Sequence, residues 1–276
     1  MSITSTDRVS IDVSGGVADV RLNRPDKLNS LDPEMMRELG EAGRALAADH
    51  SLRVVVLHGE GRAFCSGLDF ASFQAFASRD RHAGDGGANG SFFDRRDSPA
   101  NGAQLAAWVW TELPVPVIAA IHGYAFGGGL QIALGADIRI VAPNAQLSVM
   151  EVKWGLIPDM SGTQTLRHLV RLDVAKELTY TGRIVSGSEA VELGLATRVA
   201  EDPLTEARKL ASSIAQKSPH AIRSAKKLFN ASVTMSVRDG LVLEEELQRA
   251  LIGSPNQIEA VRANFEKRAP VFADPE

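Results

Sequence analysis

The sequence predicts an α/β protein in which glycine-rich turns follow buried strands. Residues 115–121 form a short apolar run with the length and branching of a buried strand. A glycine triplet at residues 127–129 leads into a helical pattern, and residues 138–142 are a second strand-like run. From Pro203 onward the pattern is helical, divided only by short breakers. The length of 276 residues permits one large domain or one domain with an appendage.

The first sixty residues predict a hairpin, a helix and a strand. Residues 9–13 and 18–22 alternate apolar and polar side chains around a Ser14-Gly15-Gly16 turn, which predicts a β-hairpin. Asp32 is suited to cap a helix that has Pro33 at its first position. One face of this helix is apolar: Met35, Leu39, Ala42 and Leu46. Residues 53–57 predict a buried strand that leads into a glycine-containing segment.

The stretch from residue 70 to residue 110 has a different character. Residues 79–90 are polar, rich in glycine and without periodicity, which predicts a flexible surface loop. Four aromatic residues near it could wall a pocket, although such residues more often belong to a core: Phe92, Phe93, Trp108 and Trp110.

The second half of the chain is predicted to be mostly helical. Short helices are expected at residues 173–180 and 188–193, the second capped by Ser188. Longer ones are expected at residues 204–217, 220–230, 236–251 and 256–268, with Ser-Pro pairs between some of them.

Composition and charge exclude several classes of function. With 44% hydrophobic and 23% charged residues the chain can bury a full core, and its net charge of −4 argues against a nucleic-acid partner. The single cysteine, Cys65, excludes an internal disulfide, and six histidines without ligand spacing lead us to assign no metal. We find neither a long apolar run nor a signal-peptide pattern, so we expect no membrane contact and a cytoplasmic location.

The glycine triplet is a candidate site for an anion or oxyanion. Glycines at a helix start let the backbone approach a ligand, and the free N–H groups there favour negative charge. The dinucleotide fingerprint fails because Ile132 stands where its third glycine should be. Neither a phosphate loop nor a G-x-S-x-G elbow occurs. Spacing alone also fits glycines that serve only close helix–strand packing.

Two segments together resemble the crotonase superfamily, the enoyl-CoA hydratase/isomerase family. They are Gly61-Arg-Ala-Phe-Cys-Ser-Gly-Leu-Asp69 and His122-Gly-Tyr-Ala-Phe-Gly-Gly-Gly129, which are similar to the family's AFxxGxD and HGYAxGGG. The resemblance runs in order through nearly the whole chain. It implies a spiral of strand–strand–helix turns over residues 1–200, with the CoA and acyl site, and a C-terminal helical trimerisation region over residues 201–276. Two trimers commonly stack into a hexamer in this family.

The resemblance also implies an oxyanion hole and a binding site for coenzyme A. In the family two backbone N–H groups hold the thioester oxygen, and the matching positions are Leu68 and Gly128. Such preorganised donors stabilise charge that develops during reaction. The CoA contacts are expected at Lys27, Leu28, Arg62 and, from a neighbouring subunit, Lys267. We expect Gln131, Trp154 and Phe70 to line the substrate pocket.

The acids decide which reaction the resemblance implies. Family hydratases use two glutamates; the second matches Glu151, but the position of the first holds Gln131, which cannot exchange a proton at neutral pH. Asp159 follows Glu151 by eight residues, as an aspartate does in dienoyl-CoA isomerases, whose further aspartate at position 131 is missing here. Dehalogenases of the family have a nucleophilic aspartate at the Asp159 position but a tryptophan in place of Glu151.

We therefore expect an acyl-CoA enzyme that isomerises the double bond of an enoyl- or dienoyl-CoA. Glu151 is the expected base and Asp159 its proton-shuttling partner, with no cofactor besides the coenzyme A of the substrate. Three alternatives stay open: an enoyl-CoA hydratase, with a water held by Gln131 and Glu151, a hydrolase or dehalogenase acting through Asp159, and a non-catalytic acyl-CoA binder.

Overall fold

A computed structural model describes residues 8–71, 74, 95 and 98–275 of the chain. The predicted loop at residues 79–90, together with Phe92 and Phe93, lies outside the described residues. None of the described helices is long and apolar enough to span a membrane.

Nine strands form two sheets in the described residues, and the α/β prediction is confirmed. The strands are β1 (Val9–Ser14), β2 (Val17–Leu22), β3 (Val54–Gly59), β4 (Val117–Ile121), β5 (Tyr124–Phe126), β6 (Ile138–Val141), β7 (Gln146–Ser148), β8 (Val185–Ser186) and β9 (Arg198–Val199). The larger sheet has the order β1-β2-β3-β4-β6-β9 and is parallel apart from the predicted β1–β2 hairpin. The smaller has the order β5-β7-β8, with β5 and β7 parallel.

Ten α-helices occur in the described part of the chain. They are α1 (Pro33–Ala47), α2 (Gly102–Glu112), α3 (Gly128–Leu134), α4 (Gly162–Leu169), α5 (Leu172–Thr181), α6 (Gly187–Leu193), α7 (Pro203–Ala215), α8 (Pro219–Ser232), α9 (Val237–Leu251) and α10 (Pro255–Phe265). The cap predicted for α1 is confirmed, since the Asp32 side chain accepts from Met35 N. The cap predicted for α6 is wrong, because Ser186, not Ser188, accepts the hydrogen bond from Glu189 N.

Both faces of the larger sheet are covered. Helix α7 packs on one face through its small residues Ala207 and Ala211, against side chains of β3, β4 and β6. On the other face lies the main core, in which α1 and α2 pack closely together. A Cβ on Gly43 of α1 would lie 2.3 Å from Val109 of α2, so only glycine permits this approach. Trp110 of α2 is fully buried and belongs to this core.

The candidate site lies where the segment after β3 packs beside β5 and the start of α3. Residues 64 and 65 run beside β5, with hydrogen bonds from Phe64 N to His122 O and from Cys65 N to Tyr124 O, both 2.9 Å. Helix α3 starts directly after β5, and β7 leads into a short 3₁₀ helix, Glu151–Trp154. The ends of β5 and β7 therefore place the glycine triplet beside Glu151.

Candidate active site

Two backbone amides on adjoining turns are free to bind a ligand. The oxyanion turn (residues 67–69) touches the end of β5, just before α3, since a Cβ on Gly67 would lie 2.7 Å from Phe126 O. Gly67 O accepts from Leu31 N at 2.8 Å. Because the C=O and N–H of one peptide unit point in opposite directions, the Leu68 N–H points away from Leu31. Among the described residues, the Leu68 amide donates to no protein acceptor.

The second amide, that of Gly128, points out of the N-terminus of α3. Gly127 O accepts from Gln131 N at 3.0 Å within the helix, so the Gly128 N–H in the same peptide unit points the other way. The described residues offer it no acceptor either. Gly127 has φ +51, a conformation that glycine adopts without strain. The predicted oxyanion positions thus lie on touching turns, and the helix N-terminus favours an anion there.

Glu151 lies beside the same turn and is held by Gln131. A Cβ on Gly127 would be 3.2 Å from Glu151 Oε1, which also accepts from Gln131 Nε2 at 2.6 Å. Both side chains are buried, with 8% of Glu151 and 2% of Gln131 exposed. The other carboxylate oxygen of Glu151, Oε2, is buried and has no hydrogen-bond partner among the described residues. Oε2 is therefore the oxygen of this carboxylate that is left without a hydrogen bond from the described residues.

The orientation of the Gln131 carboxamide follows from its other contacts. Its Oε1 accepts from Met160 N and from Gly162 N, each at 2.8 Å. The reversed orientation would place the –NH₂ group against two N–H donors, which excludes it. Gln131 consequently presents a donor, and not an acceptor, to Glu151.

Burial sets the proton affinity of both predicted acids. Loss of solvation raises the pKa of Glu151 above its usual value; the hydrogen bond from Gln131 opposes the rise and the charge of Asp159 adds to it. The pKa of Asp159 is also raised, mainly because neighbouring groups exclude water from its carboxyl. Asp159 nevertheless keeps an exposed surface. A base with a raised pKa is a better proton acceptor at neutral pH.

The backbone that follows Asp159 is connected to Glu151 through the side chain of Gln131. Met160 N, in the peptide unit that follows Asp159, donates to Gln131, and Gln131 donates to Glu151. The structure thus brings the three predicted polar residues of the acyl site into one group. Met160 and Gly162, which hold Gln131, were not predicted from the sequence. A Cβ on Gly162 would lie 2.6 Å from Gln131 Oε1, so a larger residue there would displace the Gln131 carboxamide.

Phe70 and Trp154 form an aromatic pair across the site. Their ring centroids are 4.4 Å apart with the planes tilted by 44°. Residues three apart in a 3₁₀ helix lie on one face, so Trp154 projects from the same face as Glu151. Trp154 is 57% exposed. The pair therefore connects the residue that follows the oxyanion turn to the 3₁₀ helix that carries Glu151.

The residues predicted to bind coenzyme A lie at several places. The coenzyme turn (residues 24–29) contacts the strand-like segment before the oxyanion turn, because Ser66 N donates to Leu28 O at 3.0 Å. Leu28 has φ +52, and Lys27 is exposed. Arg62 is exposed in the loop after β3. Lys267 is exposed after α10, where its N–H donates to Asn264 O. Its role towards a neighbouring subunit stays a prediction.

The sequence of this chain matches a known protein family. The model of the family described as enoyl-CoA hydratase/isomerase matches residues 12–275. This chain belongs to the enoyl-CoA hydratase/isomerase family. The crotonase resemblance and the crotonase-like fold predicted from the sequence are thereby confirmed, and the protein is an enzyme of this family.

Members of the enoyl-CoA hydratase/isomerase family cover nearly the whole chain. A probable enoyl-CoA hydratase of Mycobacterium tuberculosis is 35% identical over 258 residues, which is 93% of this chain and 94% of the relative. The (E)-benzylidenesuccinyl-CoA hydratase of Thauera aromatica is 32% identical over 275 residues, covering 96% and 98%. The crystal structure of an enoyl-CoA hydratase from Bacillus anthracis superposes with a TM-score of 0.84 at 32% identity, covering 96% and 98%.

Proposed function

We propose that this enzyme isomerises the double bond of an enoyl- or dienoyl-CoA. The thioester oxygen binds between the Leu68 and Gly128 amides, Glu151 is the base, and Asp159 is its proton-shuttling partner. Each such amide is worth about 3 kcal/mol of transition-state stabilisation in comparable sites. The chemistry needs no cofactor beyond the coenzyme A of the substrate, because it moves only a proton and a double bond.

In this reaction Glu151 Oε2 removes a proton from the α-carbon of a 3-enoyl thioester. The electron pair of the broken C–H bond moves into the thioester, giving an enolate whose oxygen the two amides hold. Glu151 returns this proton to the γ-carbon, or a protonated Asp159 supplies one there and regains it from Glu151, and the double bond moves into conjugation with the carbonyl group. Nothing is added to or lost from the substrate.

The orientation of Gln131 is the observation that carries this proposal. A hydratase of this family holds its water between two carboxylates, one of which takes a proton while water attacks carbon. Gln131 Oε1 already accepts two backbone N–H bonds, and a carbonyl oxygen has only two lone pairs. The carboxamide can therefore only donate to a water, and it can take no proton from that water. Glu151 is left without a second base, which favours isomerisation.

Hydration of a trans-2-enoyl-CoA is the second candidate. The relatives described above carry the name hydratase, which supports it. In that reaction Glu151 would have to activate the water alone, with Gln131 as a donor at most.

We further propose that the enzyme works as a trimer or as a hexamer of two trimers in the cytoplasm. Helix α9 has no buried residue, and large apolar side chains are exposed on the C-terminal helices, among them Val237 at 82% and Phe265 at 83%. Apolar surface of this extent supports burial against further copies of the chain. The division of the chain at residue 200 stays a prediction, and α7 packs on the larger sheet.

A panel of acyl-CoA substrates with mass analysis tests the function. Isomerisation leaves the mass unchanged, hydration adds one water, and thioester hydrolysis releases CoA. We expect isomerisation to dominate. Glu151→Gln should lower it by about 10²–10⁴-fold, because a positioned base contributes that much. Asp159→Asn should cost a comparable factor if Asp159 returns the proton and much less if Glu151 acts alone. Efficient wild-type hydration, indifferent to Asp159→Asn, would refute the isomerase assignment.

A further inference from the structure

Arg24 links two parts of the site that lie far apart in the sequence. Its Nη1 donates to Asp69 Oδ2, on the oxyanion turn, at 2.8 Å. The same nitrogen donates to Ser30 Oγ at 3.1 Å and to Ser30 O at 3.2 Å, and lies 3.5 Å from Asp32 Oδ2. Only 13% of the Arg24 side chain and 15% of the Asp69 side chain are exposed. An ion pair this well buried leaves an uncompensated charge when one partner is removed.

The backbone of Arg24 builds the coenzyme turn. Its N–H donates to Asn29 Oδ1 at 2.8 Å, and its carbonyl oxygen accepts from Lys27 N at 3.1 Å and from Asn29 N at 2.9 Å. Leu28 and Asn29 both have positive φ, a conformation that costs free energy in residues other than glycine. The contacts of Arg24 help to hold this strained turn. Arg24 therefore stabilises the coenzyme turn through its backbone and contacts the oxyanion turn through its side chain.

The position of the Leu68 amide depends on the residues at either side of it. Gly67 O is fixed by Leu31 N at 2.8 Å, and Asp69 N donates to Leu31 O at 3.0 Å. Gly67 has φ +89 and, lacking a side chain, does not restrict the turn by itself. The ion pair from Arg24 fixes the other end of the turn at Asp69. A shift of Asp69 would rotate the Leu68 N–H away from the thioester oxygen.

We propose that Arg24 is a positioning residue that couples the coenzyme turn to the oxyanion hole. The inference rests on the proposed roles of the Leu68 amide and of the coenzyme turn. Through the Arg24–Asp69 pair, contact of the nucleotide end of coenzyme A with its turn stabilises the arrangement in which the Leu68 N–H meets the enolate oxygen. Binding energy from the remote end of the substrate is then realised in the transition state, and it raises kcat as well as affinity.

The test uses exchange of α-hydrogens of a saturated acyl-CoA in D₂O, followed by mass. This exchange needs only enolate formation, so it does not depend on whether the enzyme isomerises or hydrates. We compare wild type, Arg24→Gln and Arg24→Lys, each with the CoA thioester and with the pantetheine thioester that lacks the nucleotide. Arg8→Gln is the matched control, because Arg8 Nε binds the same Asp32 carboxylate at 3.0 Å from another direction.

We expect Arg24→Gln to lower kcat for the CoA thioester by about 10²-fold, the loss typical of a small misplacement of a catalytic group. KM should change less than kcat, and Arg24→Lys should recover part of the loss. Wild type should lose kcat on the pantetheine thioester, and Arg24→Gln should show little further loss there. Thermal unfolding measured alongside separates stability from catalysis, since Arg24→Gln and Arg8→Gln should both lower the Tm but only the former should lower kcat.

Three results would overturn the inference. They are a wild-type kcat in Arg24→Gln, an equal loss of kcat in Arg8→Gln, and a CoA-to-pantetheine ratio that is unchanged by Arg24→Gln. If Arg24→Gln does not fold, Asp69→Asn keeps a neutral acceptor in place and should show the same loss of kcat in a smaller degree. Wild type that catalyses no exchange at all would remove the proposed oxyanion role itself, and the inference with it.

Discussion

Replacing Gln131 by glutamate tests the chemistry of the site most directly. The new carboxylate can keep the hydrogen bonds from Met160 N and Gly162 N, so the backbone has no reason to move. Its second oxygen takes the place of Nε2, which lies 2.6 Å from Glu151 Oε1. A donor that stabilises the Glu151 carboxylate becomes a second negative charge beside it. Gln131→Glu thus creates the pair of acids that the family's hydratases use.

The repulsion in this pair is large enough to retain a proton. With charge centres about 4 Å apart and an effective dielectric constant of about 20, two carboxylates repel by about 4 kcal/mol. This repulsion raises the pKa at which the pair releases its second proton. Between the two pKa values of the pair, the two carboxyl groups of the Gln131→Glu variant share one proton, so that one group acts as the acid and the other as the base.

Hydration and isomerisation are then measured on matched substrates. Loss of the conjugated thioester absorbance of a trans-2-enoyl-CoA reports hydration, and its appearance from a trans-3-enoyl-CoA reports isomerisation. We expect Gln131→Glu to raise the ratio of hydration to isomerisation by about 10²-fold or more, the usual contribution of a general acid or base. The activity of the wild type should rise with pH as Glu151 ionises, and this rise should move to higher pH in the variant.

Gln131→Leu is the control, because it removes the donor to Glu151 without supplying an acid. It should raise the pKa of Glu151 as well, since the hydrogen bond that lowers this pKa is lost, but it should not gain hydration. An unchanged ratio of the two reactions in Gln131→Glu, or a wild type that hydrates as fast as the variant, would refute the reasoning from the orientation of Gln131.

Three further predictions concern the turn, the pH dependence of stability and the assembly. Gly67→Ala should destabilise the fold and lower kcat, because Gly67 has φ +89 and a Cβ there would lie 2.7 Å from Phe126 O. The control is Gly240→Ala in α9, where the space around the glycine is open; it should raise the Tm slightly in thermal unfolding. Burial raises the pKa of Asp19, but hydrogen bonds from His58 and an arginine of α7 outweigh it and bring this pKa to about 2. The resulting stability is present above pH 3.8 and lost as the pH falls towards 2, so Asp19→Asn should remove it in urea unfolding at pH 7. Light scattering should give a trimer or hexamer; a monomer at micromolar concentration would leave no basis for a coenzyme contact from a neighbouring subunit.

Local signals predicted much of the fold. The hairpin of β1 and β2, the cap of α1 and the strand before the glycine triplet each depend on residues that are close in the sequence. The smaller sheet was not predicted, since its strands have two or three residues and exist only through pairing with each other. Helix α2 did have a local signal, a capping box of Asn101 and Gln104, but it lies next to the polar loop and was included in the irregular stretch.

The sequence indicated which residues to consider for the candidate site, but not the hydrogen bonds between them. The resemblance of the sequence to the crotonase superfamily points to Gly128, Glu151 and Asp159. The direction of the Gln131 carboxamide depends on the backbone N–H groups of Met160 and Gly162, about thirty residues further along the chain. No periodicity or propensity carries that information, because it arises only when the two turns meet.

Strained backbone and buried polar atoms without a hydrogen-bond partner also occur around the candidate site, independently of any motif. Four described residues other than glycine have positive φ, and three of them, Leu28, Asn29 and Ser161, lie beside the oxyanion turn or the Gln131 contacts. Of the four buried side-chain atoms without a partner in the described part of the chain, Glu151 Oε2 and Ser161 Oγ lie here too. Strained backbone and unsatisfied polar atoms persist where a bound molecule makes use of them. Stability alone does not explain why strained residues and unpaired polar atoms lie beside two free amides. The binding of a polar ligand at this site explains their position.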